Sequence, residues 1–445
     1  VDKAIGYGKE GVQVDGNNVL EVFHAVQSIR KRMKQESRPV LLECLTFRMR
    51  GHEEASGTKY VPQELFDEWG KKDPVENFEK YLIGEKVLNP DLISSIRDSI
   101  KSDIEAGLEV AFAETEPKPD TNLEKADMFA PFKFSNVQPS AHKSSEMRFL
   151  DAITDAMRES MRRHPNLVIM GQDVAEYGGV FKATIGFVDE FGKSRVRNTP
   201  LCESAIIGAG LGMSINGMKT IVEMQFADFV TCGFNQIVNN LAKTHYRWGQ
   251  HADVVVRMPT GAGVGAGPFH SQSNEAWFFH TPGLKIVYPS NPYDAKGLLN
   301  AAFEDPNPYM YFEHKALYRS ISEAIPDDYY TVEVGKANLV QEGETLSIIT
   351  YGMGVHWAKT AVKELLSEGE DVAHLHLHHI NPFPKNLGEL LNNYDKVLIP
   401  EMNSGQLLQL IRAKYLVPAT GLSKVQGQPF TTVEIKEKML QLLKA

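Results

Sequence analysis

Cysteine is scarce in this chain. Cys44, Cys202 and Cys232 form an odd set with no CxxC pair, which leaves no disulfide frame and points to a reducing compartment. Basic blocks are missing as well. No run of five or more Lys or Arg occurs, and 47 basic against 57 acidic side chains give a net charge of −10, which argues against nucleic acid as a partner. Long apolar runs are also lacking. The longest uncharged stretches, 204–218 and 258–274, are broken by glycine and polar residues and fall short of the ~20 apolar residues of a membrane span. Internal repeats and low-complexity tracts do not occur. The opening stretch, with AIGYGKEGVQVDGNN after Val1, resembles neither a signal peptide nor an Arg- and Ser-rich transit peptide. It reads as a turn-rich connection, so the chain is expected to begin partway through a domain.

What is present is globular. A hydrophobic content of 42% and a charged content of 23% over 445 residues suit about three domains at ~150 residues each. The first region alternates helix and strand: Asn17 as a helix N-cap, an apolar stripe of Val19, Val22, Phe23, Val26 and Ile29, then a buried-strand run at 39–47. A later helix starting near Pro90 carries Ile93, Ile96, Ile100, Ile104 and Leu108 on one face. Four prolines and little periodicity over 115–145 mark a linker. The second region opens with a helix at 146–164, followed by strands at LVIMGQDV, KTIVEMQF, DVVVRM, VYPS and YMYFE, with helices at 203–216 and 233–248 between them. Strands spaced by helices predict a parallel sheet covered on both faces. A third, smaller α/β region starts near Val334, with strands at LSIITYG, VAHLHLHHI, KVLIPEM and TTVEI and helices at 355–368 and 406–415.

Several motifs bear on chemistry. Gly261, Gly263 and Ala266 spell GxGxxA after a strand, but a dinucleotide fold needs a helix at once. Gly267 and Pro268 follow instead, so a glycine loop presenting His270 fits better. Taken alone, His270 reads as structural. His374, His376 and His378 share one strand face and could suggest zinc, yet no carboxylate or cysteine completes the set nearby in sequence. A half-exposed or interfacial strand accounts for them. Glu203 opens a helix directly after TPLC, beside Leu201, Ile206 and Ile207. A carboxylate there is a favourable dipole partner and cheap to bury, and a buried carboxylate can hold one proton in place. Gly208 and Gly212 in the same helix predict close helix packing. Arg48, Arg50 and His52 sit in a loop after a strand, where open parallel sheets bind ligands; a solvated loop is the alternative.

Together these segments resemble one family, the thiamin diphosphate-dependent decarboxylase component of 2-oxo acid dehydrogenase complexes. From 146 onward, GQDV…GGVF, NTPLCESAIIGAGLGM, EMQFADF, FHSQSNEAWF and DPNPYMYFEHKALY resemble its β subunit. Residues 1–131, through GYG, VDGNNV, TFRMRGH and AETEPKPD, resemble the C-terminal half of its α subunit. The resemblance implies a fused α–β chain lacking the front of its α part. Its fold class would be α/β: a thiamin diphosphate-binding fold with a transketolase-like pyrimidine domain, plus a transketolase C-terminal-like domain. The implied boundaries are 1–131, a linker at 132–145, the pyrimidine-binding domain at 146–325 and the C-terminal domain at 326–445.

The resemblance also assigns roles. Glu203 matches the glutamate that hydrogen-bonds the cofactor's pyrimidine nitrogen. Leu201, Gln225 and Phe229 match positions lining that ring. His270 matches the β-subunit histidine that handles protons during acyl transfer to lipoamide, and His52 and Arg48 match α-subunit residues near the cofactor. The implied catalytic set is Glu203, His270 and His52. The implied cofactors are thiamin diphosphate and Mg2+, whose ligands, in a GDG motif, are expected upstream of Val1, so no metal ligand is expected in this chain. Glu53 stands where mitochondrial relatives carry a phosphorylatable serine, which implies a bacterial, cytoplasmic protein. The implied partners are the lipoyl and subunit-binding domains of a dihydrolipoyl acyltransferase, in a homodimer of the fusion, (αβ)2. QFADF and TPLCES favour a branched-chain 2-oxo acid over pyruvate. The stretch PEMNSGQLLQLIRAKYL…KVQGQPFTTVEI is closer to 2-oxo acid:ferredoxin oxidoreductases, but no cysteine cluster for iron–sulfur exists. A cofactor-free fragment and a ferredoxin-linked enzyme are the alternatives.

Overall fold

The computed structural model describes residues 1–445 apart from Glu54, Ala141 and His142. The last two fall within the expected linker and lie outside the described residues. The chain divides into two compact units, Val1–Lys118 and Pro119–Ala445.

In the first unit, β1 (Glu10–Asp15) and β2 (Val40–Leu45) pair in parallel. Helix Val19–Gln35 joins them. Its N-cap is Asn18, which accepts from Glu21 N, and not Asn17, whose side chain instead donates to Lys72 O and accepts from Thr46 Oγ1. Helix Pro90–Ala113 is capped by Asn89. Its apolar stripe is laid out as the spacing predicts, but Ile96, Ile100, Ile104 and Leu108 are exposed.

The second unit holds a seven-stranded sheet. In chain order its strands are β4 (Leu167–Gly171), β5 (Val196–Asn198), β6 (Lys219–Glu223), β7 (Val254–Thr260), β8 (Lys285–Val287), β9 (Tyr309–His314) and β14 (His379–Asn381). The spatial order is β14-β8-β9-β7-β6-β4-β5, parallel except for β14. β4, β7 and β9 are buried along their whole length, because helices cover both faces and every residue must be apolar or paired. A smaller five-stranded sheet, in the order β11-β13-β12-β15-β16, uses β11 (Asn338–Gln341), β12 (Leu346–Thr350), β13 (Val372–His376), β15 (Lys396–Met402) and β16 (Thr420–Lys424). The two sheets share one core, in which Ile286 and Tyr288 of the first meet Leu375 and Leu377 of the second.

Three expectations are corrected here. Residues 146–148 are not helix: β3 (Ser144–Arg148) pairs antiparallel with β10 (Ser322–Pro326), and the helix starts at Phe149. TTVEI is not a strand. Thr431 and Glu434 form a reciprocal capping box and open helix Thr432–Leu443, the S/T-x-x-E signature of a helix start. The stretch 233–248 is not one helix; it runs as a 3₁₀ turn, a π turn Gln236–Leu241 and a short helix Thr244–Trp248. The stretch before β3 is pinned: Ala130 exchanges hydrogen bonds with the Asn307 side chain (2.7 and 3.0 Å), and Val137 N donates to Thr331 Oγ1 at 2.9 Å.

Candidate active site

Four of the expected site residues, Glu203, Gln225, Phe229 and His270, lie on segments that follow β5, β6 and β7, at the edge where parallel sheets place ligand sites. Glu203 is the first residue of helix Glu203–Ile215. Its Oε1 accepts from Gln172 Nε2 at 3.0 Å, and Gln172 directly follows β4. The next residue, Asp173, has φ +60° and accepts through Oδ2 from Gln225 Nε2 at 3.3 Å. Gln225 leads into the turn that carries Phe226 and Phe229, and His270 stands edge-on to both rings at centroid distances of 4.7 and 5.5 Å. A continuous line of contacts therefore runs from Glu203 through Gln172, Asp173 and Gln225 to the aromatic pair and His270.

Glu203 is half-buried, not buried. Leu201, expected as its apolar neighbour, is 80% exposed. The carboxylate lines an open cleft of about 570 Å³ with Cys202, Ser204, Ala205, Gly208, Cys232 and Gln236. Phe229 and His270 do not line that cleft. The loop around His270 borders a second one, of about 780 Å³, lined on its far side by Asn403 and by residues 424–428, which run on from β16.

The His270 loop has a fixed base and a free arch. Gly261 N and Thr260 Oγ1 both donate to Gln272 O, while Gln272 N donates to Asp228 Oδ1 at 3.2 Å and Asn274 Nδ2 to Ala227 O at 2.8 Å. Gly261, Gly263, Gly265 and Gly267 all have positive φ, open to glycine at little cost. At Gly261 a Cβ would lie 2.3 Å from the His314 ring. No helix follows until Ala276–Phe279, in keeping with a loop and not a dinucleotide fold.

Beneath the site lies a buried charge cluster that sequence reasoning missed. Arg257 bonds Glu223 on one side and Glu313 on the other (Nη2 to Oε2, 2.8 Å), and Tyr318 Oη donates to Glu313 at 2.6 Å. All three charged groups are at most 5% exposed. Burial raises the Glu223 carboxyl, with Arg257 opposing. Glu223 ends β6, two residues before Gln225, so this cluster anchors the strand that presents the site. Alternating apolar strands gave no signal for it beyond a lone Arg in DVVVRM.

The histidine run is wholly buried, and the half-exposed alternative is overturned. His374 and His379 are 0% exposed, and His376 is 1%. His376 Nε2 and Ser290 Oγ lie 2.7 Å apart, linking β13 to the larger sheet. The strand is interfacial. Among the described residues, no group of three or more His, Cys, Asp or Glu could hold a metal ion.

Arg48 and His52 lie in the first unit, exposed, in the loop after β2. There a Cβ at Gly51 would lie 2.1 Å from Ser56 O.

A flat heteroaromatic ring with polar nitrogens on its rim needs an aromatic wall and a carboxylate; Glu203 offers a carboxylate on its cleft, while Phe229 stands outside that cleft, against Phe226 and His270. Only Oε1 of Glu203 is hydrogen-bonded among the described residues. Glu203 on its open cleft offers an acceptor to a polar ring nitrogen; with no second carboxylate lining that cleft, the residues do not fit a divalent cation.

Residues 145–320 match the family model of the transketolase pyrimidine-binding domain, and residues 335–407 that of the transketolase C-terminal domain. A solved structure described as a split-gene transketolase, an inactive β4 tetramer, superposes with a TM-score of 0.56 at 18% identity, covering 67% of this chain and 98% of its own. The larger unit is thus a transketolase-type α/β fold. Residues 1–121 match the dehydrogenase E1 component model. The 2-oxoisovalerate dehydrogenase subunit beta of Bacillus subtilis (strain 168) is 46% identical over 260 residues, 57% of this chain and 79% of that protein. The pyruvate dehydrogenase E1 component subunit beta of the same organism is 41% identical over 240 residues, 54% and 74% of the two chains. The chain belongs to the family of 2-oxo acid dehydrogenase E1 components, which depend on thiamin diphosphate.

Proposed function

We propose that this chain decarboxylates a 2-oxo acid oxidatively and passes the acyl group to the lipoyl arm of a dihydrolipoyl acyltransferase, with a branched-chain acid preferred. The observation that carries the reading is Glu203 at a helix N-terminus on the wall of an open cleft, oriented by Gln172 at 3.0 Å. The relative at 46% identity, a 2-oxoisovalerate enzyme subunit, supports the branched-chain preference; the relative at 41%, a pyruvate enzyme subunit, supports pyruvate as the second reading.

Thiamin diphosphate supplies the electron sink for decarboxylation. The chain's part is to bind, orient and move protons. With the cofactor bound, Glu203 would hold a proton at its carboxylate toward the pyrimidine, and Leu201, Gln225 and Phe229 would be the residues that hold that ring. His270 moves a proton at its imidazole during acyl transfer, in the manner of a general acid–base. Arg48 and His52 are assigned to cofactor binding by their motif positions, and His52 to proton handling. Mg2+ is the accompanying ion in this reading, and none of the residues named here is assigned as its ligand. The assembly read from the resemblance is a pair of α–β units in the bacterial cytoplasm. No helix among the described residues is long and apolar enough to cross a membrane.

The test supplies the protein with thiamin diphosphate and Mg2+ and follows reduction of a redox dye with 3-methyl-2-oxobutanoate and with pyruvate. Higher kcat/KM for the branched acid is expected. Higher kcat/KM for pyruvate would replace the substrate; no turnover of either, with cofactor bound, would overturn the reading.

A further inference from the structure

Lys315 begins the 3₁₀ turn Lys315–Leu317 that follows β9. It is 5% exposed, and its Nζ has no hydrogen-bond partner among the described residues. A buried lysine is rare unless paired, because stripping water from an ammonium is costly. Its ammonium lies over a ring: Nζ is 5.4 Å from the centroid of Phe226. That ring is the one His270 meets edge-on at 4.7 Å with an interplanar angle of 89°. Phe181 meets it at 5.6 Å and Phe229 at 5.6 Å.

Burial lowers the Lys315 ammonium to about 8, while Asp228 and Glu275 draw it back up. The side chain therefore remains mostly cationic at neutral pH. A methionine would fill the same space without the desolvation cost. A cation over an aromatic face is attracted to it, most strongly where water is excluded.

We infer that Lys315 is a positioning residue for His270: its ammonium fixes the Phe226 ring, and that ring fixes the imidazole. The other charged groups around this cluster are Asp228, which accepts from Gln272 N, Asp173 beside Gln225, Glu275, and Arg319, which donates to Phe181 O. The loop 261–274 carries no Asp, Glu, Lys or Arg of its own. The inference rests on the proton-handling role proposed for His270, but its primary readout does not.

The experiment labels histidine ring carbons with ¹³C and records the His270 resonance in the full chain with Lys315→Met, Lys315→Arg, Phe226→Leu and the double variant. An edge-on aromatic neighbour shifts the imidazole signal by its ring current. Lys315→Met is expected to displace or broaden that signal while leaving Tm no lower, and Lys315→Arg to restore it. In the Phe226→Leu background, Lys315→Met should add nothing, the mark of a coupled pair. In the acyl-transfer assay the same variant should lower kcat about tenfold with KM within about twofold, the pattern of an interaction made in the transition state. An unchanged His270 signal in a folded Lys315→Met protein overturns the inference, even if the enzyme turns over 2-oxo acids. A changed signal without any such turnover would keep the coupling and discard only the assigned chemistry.

Discussion

Gln172 donates to Glu203 across 3.0 Å, from the end of a buried strand to the first turn of a helix. Gln172 is 6% exposed and its Oε1 has no partner among the described residues. The strand thereby sets the direction of the carboxylate. Glu203→Gln keeps the shape and removes the proton acceptor. Dye-linked decarboxylation should fall by about 10²–10⁴-fold, the span of a general acid–base group. Gln172→Leu should cost less, about tenfold, by letting the half-buried carboxylate drift; a hydrogen bond to a charged group is worth ~1.5–3 kcal/mol when sheltered. Steady-state rates and calorimetric cofactor binding check both. A Glu203→Gln enzyme within tenfold of the wild type would remove this residue from the chemistry.

His270 stands on the arch of the glycine loop, against Phe226 and Phe229 and away from the cleft of Glu203. That separation predicts a split phenotype. His270→Asn should leave dye-linked decarboxylation within about threefold, while acyl transfer to a free lipoyl domain falls about 10²-fold or more. Equal losses in both assays would place His270 in the decarboxylation step as well.

Much of this was legible in the sequence because strands buried on both faces read as apolar runs and because helix caps are local. LVIMG, KTIVE and VVVRM are strands where expected, and helix Gln406–Tyr415 has the expected ends. The misses have physical causes. Glu146 and Met147 fit a helical stripe equally well, and pairing with β10, some 175 residues away, decided for strand; long-range pairing overrides local preference. Histidines spaced by two fit an exposed strand face, and only Ser290 and Asp294, at the start of helix Pro292–Glu304, standing beside His376 and His378 made that face interior. At the site, Gln172, Asp173 and Phe226 lay inside quoted motifs, but their roles come from contacts between separate strand ends, which no local pattern records.

The cluster of Arg257 with Glu223 and Glu313 yields a stability prediction. Arg257→Met leaves two carboxylates buried without their cation, which costs about 3–5 kcal/mol. Adding Glu223→Gln and Glu313→Gln should recover most of that, since neutral amides carry no such charge; Tyr318 would still have an acceptor. Urea denaturation of the three proteins is the measurement. A triple variant as weak as Arg257→Met would show that packing around the guanidinium, not its charge, is what the site needs.

The buried histidines and carboxylates pull stability in opposite directions with pH. Burial lowers His379 to about 3, against about 6.5 unfolded. Between those values the unfolded chain binds the extra proton, so this group's contribution falls as pH drops, by about 1.4 kcal/mol per unit. Glu401 is held up to about 7 by burial, with Leu407 N and Leu408 N donating to it. There the folded chain binds the extra proton between about 7 and the unfolded value near 4.3, so its contribution rises as pH drops. The wild-type curve sums both and should be shallow. Single variants separate them. Relative to wild type, His379→Leu should gain about 1–2 kcal/mol on passing from pH 7.5 to 5.0, because it removes a term that falls. Glu401→Gln should move the other way, its advantage shrinking over the same interval. His379 is 0% exposed and both ring nitrogens lack partners, so leucine removes no hydrogen bond that could blur the comparison. A pH-independent difference between His379→Leu and wild type would mean that the imidazole takes up its proton inside the folded core.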